Sequence, residues 1–128
     1  MVDDMGTCRI EVEIENPSRP GPRASLSNVL VDTGAGLSWF PAGILERLGI
    51  ARRKIVHFRQ ADGTVLERWT GSAWVYAVST SATDDVVFGE PHDLVLLGAR
   101  SLEGLNLRVV PITKRLIDAG PVPAAAAA

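Results

Sequence analysis

Apolar and polar residues alternate without a break over Arg9-Ile10-Glu11-Val12-Glu13-Ile14-Glu15, which predicts a half-buried strand with Ile10, Val12 and Ile14 inward and the three glutamates on a solvated face. Asn16-Pro17 stops it. Ser18-Arg19-Pro20-Gly21-Pro22-Arg23 predicts a Pro/Gly loop, the turn of a wide hairpin, after which residues 24–32 form a second strand antiparallel to the first. Residues 37–40 are again strand-like, and Pro41 opens a short helix with Ile44, Leu45 and Leu48 on one face, ended by Gly49 and capped by the apolar contact of Ile50.

Two extended runs, residues 55–60 and 65–70, flank Ala61-Asp62-Gly63-Thr64, and an Asp-Gly pair at such a place is a strong hairpin signal. With Phe58 and Trp69 as its main apolar residues, this hairpin is expected to project and to move. Residues 72–80 read as a better-buried strand, residues 80–85 as a polar turn and residues 86–88 as a short strand. Residues 94–97 form a continuous apolar strand, buried on both faces, that runs into Gly98. A short helix over residues 99–103 closes at Gly104, and Leu105, Leu107 and Val109 alternate in a last strand limited by Pro111. The pattern predicts a mainly-β domain of about seven short strands and two short helices over residues 1–118, with residues 119–128 a flexible Pro/Ala-rich tail.

Composition narrows the function classes. The 128 residues suit one domain, and 46% apolar with 22% charged residues is ordinary globular usage. A formal net charge of −2, with Arg52-Arg53-Lys54 the only basic cluster, argues against a nucleic-acid partner. Cys8 is the only cysteine, and with His57 and His92 alone beside it there is no zinc-ligand spacing; no metal, cofactor or disulfide is expected. His57 and His92 read as strand and loop polar residues, Trp39, Trp69 and Trp74 as core or interface aromatics, and Cys8 as a packing residue. The start, Met1-Val2-Asp3-Asp4, lacks the basic and apolar regions of a signal peptide, and no run approaches the ~20 apolar residues of a membrane span. A soluble cytoplasmic protein, without membrane association, is the expectation.

The stretch with chemistry in it is Asn28-Val29-Leu30-Val31-Asp32-Thr33-Gly34-Ala35-Gly36. A carboxylate at the end of a Val/Leu run is costly to desolvate unless donors or a proton compensate it. The N–H groups of Thr33 and Gly34 and the threonine hydroxyl are such donors, and Gly34 lets the backbone pass closely. Two readings fit these residues: a catalytic carboxylate, or a plain turn closed by an Asx-type hydrogen bond.

A second strand–turn–helix unit, Leu94-Val95-Leu96-Leu97-Gly98, suggests internal pseudo-symmetry. With the Ala-Asp-Gly hairpin between the two, the order resembles the retropepsins, single-domain retroviral-type aspartic proteases that work as homodimers, and in particular their cellular DNA-damage-inducible relatives and bacterial members. The resemblance covers residues 6–113 and is strongest at Val31-Asp32-Thr33-Gly34-Ala35 and Leu96-Leu97-Gly98. It implies a closed barrel-like β core with a flap hairpin, and an aspartic endopeptidase whose catalytic Asp32 meets its symmetry mate across a two-fold axis. It further implies that Thr33 braces the paired turns, that Gly34 N–H bonds the Asp32 carboxylate, and that Ala35 walls the groove. Ala61, Asp62, Gly63 and Thr64 would be the flap tip closing on a peptide or protein substrate, with Leu94 and Leu96 lining its side-chain pockets.

The chain departs from the retroviral pattern in three places. Gly36 and Ala99 stand where an acid and an arginine usually pair between subunits, and Asp62 brings a charge to a tip that is usually glycine-rich. Losing both partners together orphans no buried charge but removes one brace of the dimer. Those departures keep open a second reading, a catalytically weak or inactive peptide-binding or scaffold module of the same fold, and a third, a proteolytic unit that needs a partner chain or processing.

Overall fold

In a computed structural model, which describes residues 8–124, the alternating run becomes β1 (Cys8–Asn16) and pairs antiparallel with β2 (Arg19–Val31). Residues 1–7 and 125–128, and so the acidic start and most of the alanine run, lie outside the described residues. Val12 and Ile14 are buried as the alternation requires. The expected wide loop is absent. The chain turns at Pro17-Ser18 and β2 runs straight through Pro20, Gly21 and Pro22. Asn16 permits this: its side-chain oxygen accepts the Ser18 N–H at 2.8 Å, while its Nδ2 donates to the Leu48 carbonyl at 3.0 Å. A bulge follows, with Asn28 at φ 58° between the Leu26 and Val29 pairs.

The glutamate face is also less uniform than alternation implies. Glu11 is exposed, but Glu15 is buried. Tyr76 O–H and Gly21 N–H donate to its carboxylate, and Arg23 lies 3.7 Å away. Hydrogen bonds from Tyr76 first, then Gly21, hold the Glu15 carboxyl below the usual range despite the opposing effect of desolvation.

β3 (Ser38–Pro41) leads into α1 (Ala42–Arg47), whose Leu45 is buried, and Gly49 at φ 78° ends the turn so that Ile50 packs inward. β4 (Lys54–Arg59) and β5 (Val65–Ala77) form the expected hairpin, Lys54 opposite Thr70 and Arg59 opposite Val65. The break expected near Gly71 does not occur: β5 is one strand of 13 residues. Its glycine serves a close approach, since a Cβ there would lie 2.3 Å from the Ala51 carbonyl oxygen. β5 thus runs from the exposed hairpin into the core.

The polar turn expected at residues 80–85 is instead the start of β6 (Thr80–Gly89), and the chain reverses at Val78-Ser79, both at positive φ (51° and 64°). The late apolar strand shrinks to β7 (Leu96–Leu97), because Leu94 is 69% exposed. α2 (Ala99–Leu105) continues through Gly104 and is capped by Asn106 at φ 56°, not by the glycine. β8 (Leu107–Val110) then pairs with β9 (Arg115–Asp118), a strand the pattern did not announce.

Among the described residues the protein is mainly β, with a mixed seven-stranded sheet in the order β1-β2-β7-β3-β6-β5-β4. A further antiparallel pairing of β1 with β5, Ile14 opposite Val75, joins that sheet back on itself and leaves β4 as a free edge. Val12, Ile14, Val29, Phe40, Val75, Val86 and Leu97 fill the interior. None of the described helices is long and apolar enough to cross a membrane.

Candidate functional site

β2 and β7 are neighbours and parallel, Leu30 opposite Leu96 and Val31 opposite Leu97, so the two strand ends are delivered side by side. Asp32 continues the ladder by one bond, its N–H donating to the Leu97 carbonyl at 2.9 Å. Past that point the chain turns. Ala35 N–H donates to the Asp32 carbonyl at 3.2 Å, and Gly34 N–H to Asp32 Oδ1 at 2.9 Å, so the carboxylate is half-buried and aimed by its own turn. Thr33 and Gly34 are exposed.

The turn is seated on the late strand end by backbone alone. Ala99 N–H donates to the Ala35 carbonyl at 2.8 Å and Arg100 N–H to the Gly36 carbonyl at 3.0 Å. Gly98 makes this approach possible, since a Cβ on it would sit 2.5 Å from the Leu37 carbonyl oxygen. At the two positions without the acid and arginine, main-chain bonds within one chain join the units. Arg100, one place further on, points elsewhere and lies 3.3 Å from Asp84.

Beneath the turn, Gly98 N–H donates to Ser38 Oγ at 2.9 Å, Ser38 and Ser101 Oγ are 2.6 Å apart, and Ser101 donates to Asp84 Oδ2 at 3.1 Å. Each hydroxyl has one proton, so the Ser38 proton goes to Ser101 and the Ser101 proton to Asp84. Ser38 and Ser101 are buried, and nothing in their sequence surroundings marks them.

The hairpin tip is tied internally. Gln60 N–H donates to the Thr64 carbonyl at 2.8 Å, Gly63 turns the chain at φ 92°, and Asp62 Oδ1 accepts the Thr64 N–H at 2.9 Å with the Thr64 hydroxyl 2.7 Å away. Those bonds, the hydroxyl first, hold the Asp62 carboxyl below its ordinary range. The charge at the tip is therefore turned onto its own loop.

Between hairpin and turn lies a groove of about 760 Å³. Asp32, Gly34, Ala35, Ala61, Leu94 and Leu96 line it; Thr33, Asp62, Gly63 and Thr64 stand outside that lining. The chain matches no protein-family model, and no curated protein matches it. Trp39, Phe58, Leu66, His92 and Asp93 also face the groove; the chain pattern predicts Trp39 and Phe58 as core, interface or hairpin aromatics and His92 as a loop polar residue, and assigns none of the five to the site. Trp39 and Phe58 rings meet at 4.9 Å, joining floor to hairpin, whereas Trp69 is 41% exposed on the outer face and Trp74 stacks on Tyr76.

Asp93 is the other carboxylate of the groove. Arg68 grips it with two bonds, Nε to Oδ2 at 2.7 Å and Nη2 to Oδ1 at 3.0 Å, and Glu90 N–H adds a third at 2.7 Å. Arg68 first, against desolvation, holds the Asp93 carboxyl below the usual range. Among the described residues, Asp32 is thus the carboxylate lining the groove that has no cationic partner. No group of three or more His, Cys, Asp or Glu side chains among the described residues is placed to hold a metal ion.

Proposed function

We propose that the chain is one subunit of a homodimeric, retropepsin-like aspartic endopeptidase in which Asp32 of two copies forms the catalytic dyad. The observation that carries this reading is the setting of Asp32: a half-buried carboxylate at the end of paired parallel strands, held by Gly34 N–H, in a groove roofed by a hairpin. Among the described residues one chain supplies one such carboxylate, since Asp93 is committed to Arg68, so the dyad calls for a second copy.

Two carboxylates within a few ångströms share one proton and titrate as a unit, as aspartic-protease dyads in general do. The ionised member takes a proton from water, which attacks the peptide carbonyl, while the neutral member donates to the carbonyl oxygen. Collapse of the tetrahedral species breaks the C–N bond as the amine leaves protonated, with no covalent enzyme intermediate. Leu94 and Leu96 favour apolar side chains beside that bond. The free edge of β4 supports strand-like pairing of an extended substrate under the hairpin.

Unfolded casein at mildly acid pH provides the test. Cleavage is expected from the wild type and not from Asp32→Asn, with the unfolding midpoint unchanged; full activity in that variant would overturn the proposal. Sedimentation at micromolar concentration is expected to give a dimer. The second reading, a peptide-binding module without turnover, is favoured by Gly36, Ala99 and the inward-tied Asp62; a monomer that binds peptide and never cleaves it would establish that one.

A further inference from the structure

We propose that Arg68 and Asp93 form a latch that holds the flap hairpin to the wall of the groove, which makes both of them positioning residues for an extended chain entering past Asp32. Arg68 lies on the same face of β5 as the groove residue Leu66, two places along a strand of period two. Asp93 immediately precedes Leu94 in the loop that forms the wall. Beside it, Phe58 of the hairpin packs on Trp39 of β3, and the β5–β6 ladder begins two residues further on, at Thr70 opposite Val87.

Its geometry is that of a built contact. Both side chains are largely sequestered, 12% and 13% exposed, and the guanidinium presents two donors to two carboxylate oxygens. Arg68 Nη1 donates to the Glu67 carbonyl at 2.8 Å, Glu90 lies 3.6 Å from Nη2, and the Trp39 ring is 6.0 Å from the guanidinium carbon. Asp93 in turn is fixed by Glu90 N–H. The surface pairs of this chain differ: His57 and Glu67, on the outer face of the hairpin, are both more than half exposed. A pair so placed sets the resting distance between flap and wall, and an entering chain must either fit that width or break it.

Amide hydrogen exchange of the full chain tests the latch directly, without reference to activity. In Arg68→Gln and Asp93→Asn, amides of residues 54–70 are expected to exchange roughly tenfold faster, while those of β1 and β2 stay within about twofold of wild type. Arg68→Lys is expected to fall between, and the double variant to open no further than either single one, because both remove the same contact. Unchanged exchange at the hairpin, or equal acceleration of β1 and β2, would overturn the latch. The kinetic consequence rests on the protease reading: with casein, Asp93→Asn is expected to raise KM several-fold with kcat within about twofold, and a fall in kcat at unchanged KM would refute the positioning role. A wild type that cleaves nothing would remove the protease reading alone, and exchange would still decide the latch.

Discussion

Gly98 lies against Leu37 so closely that any side chain on it would enter the Leu37 carbonyl oxygen, 2.5 Å from an added Cβ. This contact seats the Asp32 turn on the end of β7, and with it come the Ala99 to Ala35 and Arg100 to Gly36 bonds. Gly98→Ala is therefore expected to part the two strand ends. Backbone is the obstacle and cannot rotate away, so the loss should reach about 3 kcal/mol, the upper end for overpacking. Urea unfolding measures it. A variant as stable as wild type would mean that the turn tolerates displacement.

Val78-Ser79 is the opposite case, a turn that its residues do not favour. Both occupy the left-handed region, the geometry of a type I′ hairpin, where Asn-Gly is preferred and a β-branched residue is penalised by about 1–2 kcal/mol. Val78 is half exposed, so no core packing offsets that cost. The double variant Val78→Asn, Ser79→Gly is expected to stabilise the fold by about 1–2 kcal/mol, read as a higher urea midpoint at constant slope.

That turn also explains much of what the chain pattern did not disclose. The Asp32 strand and its turn were legible because Val and Leu lead into a carboxylate and a glycine, and the hairpin because Asp62-Gly63 carries a turn preference of its own. Val78-Ser79 carries none, so the polar run after it looked like the turn. Gly71 looked like a break, although its purpose is the passage of Ala51. Leu94 looked like core by its neighbours, yet the register of β7 begins two residues later. Glu15 obeyed the alternation but found Tyr76, 61 residues away, and Arg68 found Asp93 across 25 residues. Such pairs depend on how strands are ordered in the sheet, which alternation does not encode.

The Arg68–Asp93 pair gives a pH signature with a definite sign. Asp93 titrates below its ordinary value of 3.8 because Arg68 bonds its charged form. A depressed carboxyl pKa stabilises the fold fully above the unfolded value, and that stability is lost as pH falls through the folded value. The stability difference between wild type and Asp93→Asn should therefore be constant near neutrality and shrink only below about pH 4. At mildly acid pH the latch remains charged. A difference that already fades between pH 7 and pH 5 would assign the effect to another group.

The hydroxyl chain under the Asp32 turn yields the last expectation. Ser38 Oγ is the acceptor for the buried Gly98 N–H, and its own proton goes to Ser101. Ser38→Ala strands that N–H and leaves Ser101 with one partner fewer, so it should cost about 1–3 kcal/mol, the range for an unsatisfied buried donor. Ser101→Ala leaves Gly98 N–H satisfied but removes the acceptor of the buried Ser38 O–H and the hydroxyl donor to Asp84 Oδ2, while Asp84 Oδ1 keeps the Asp85 N–H at 2.8 Å and Arg100 at 3.3 Å. It should cost a comparable amount, about 1–3 kcal/mol. Because the two serines share one bond, the double variant should fall short of the sum of the singles, with a coupling of about 0.5 kcal/mol or more. Urea unfolding of the four proteins checks both the single losses and the coupling. Single losses that add fully would mean that the Ser38 proton is not committed to Ser101.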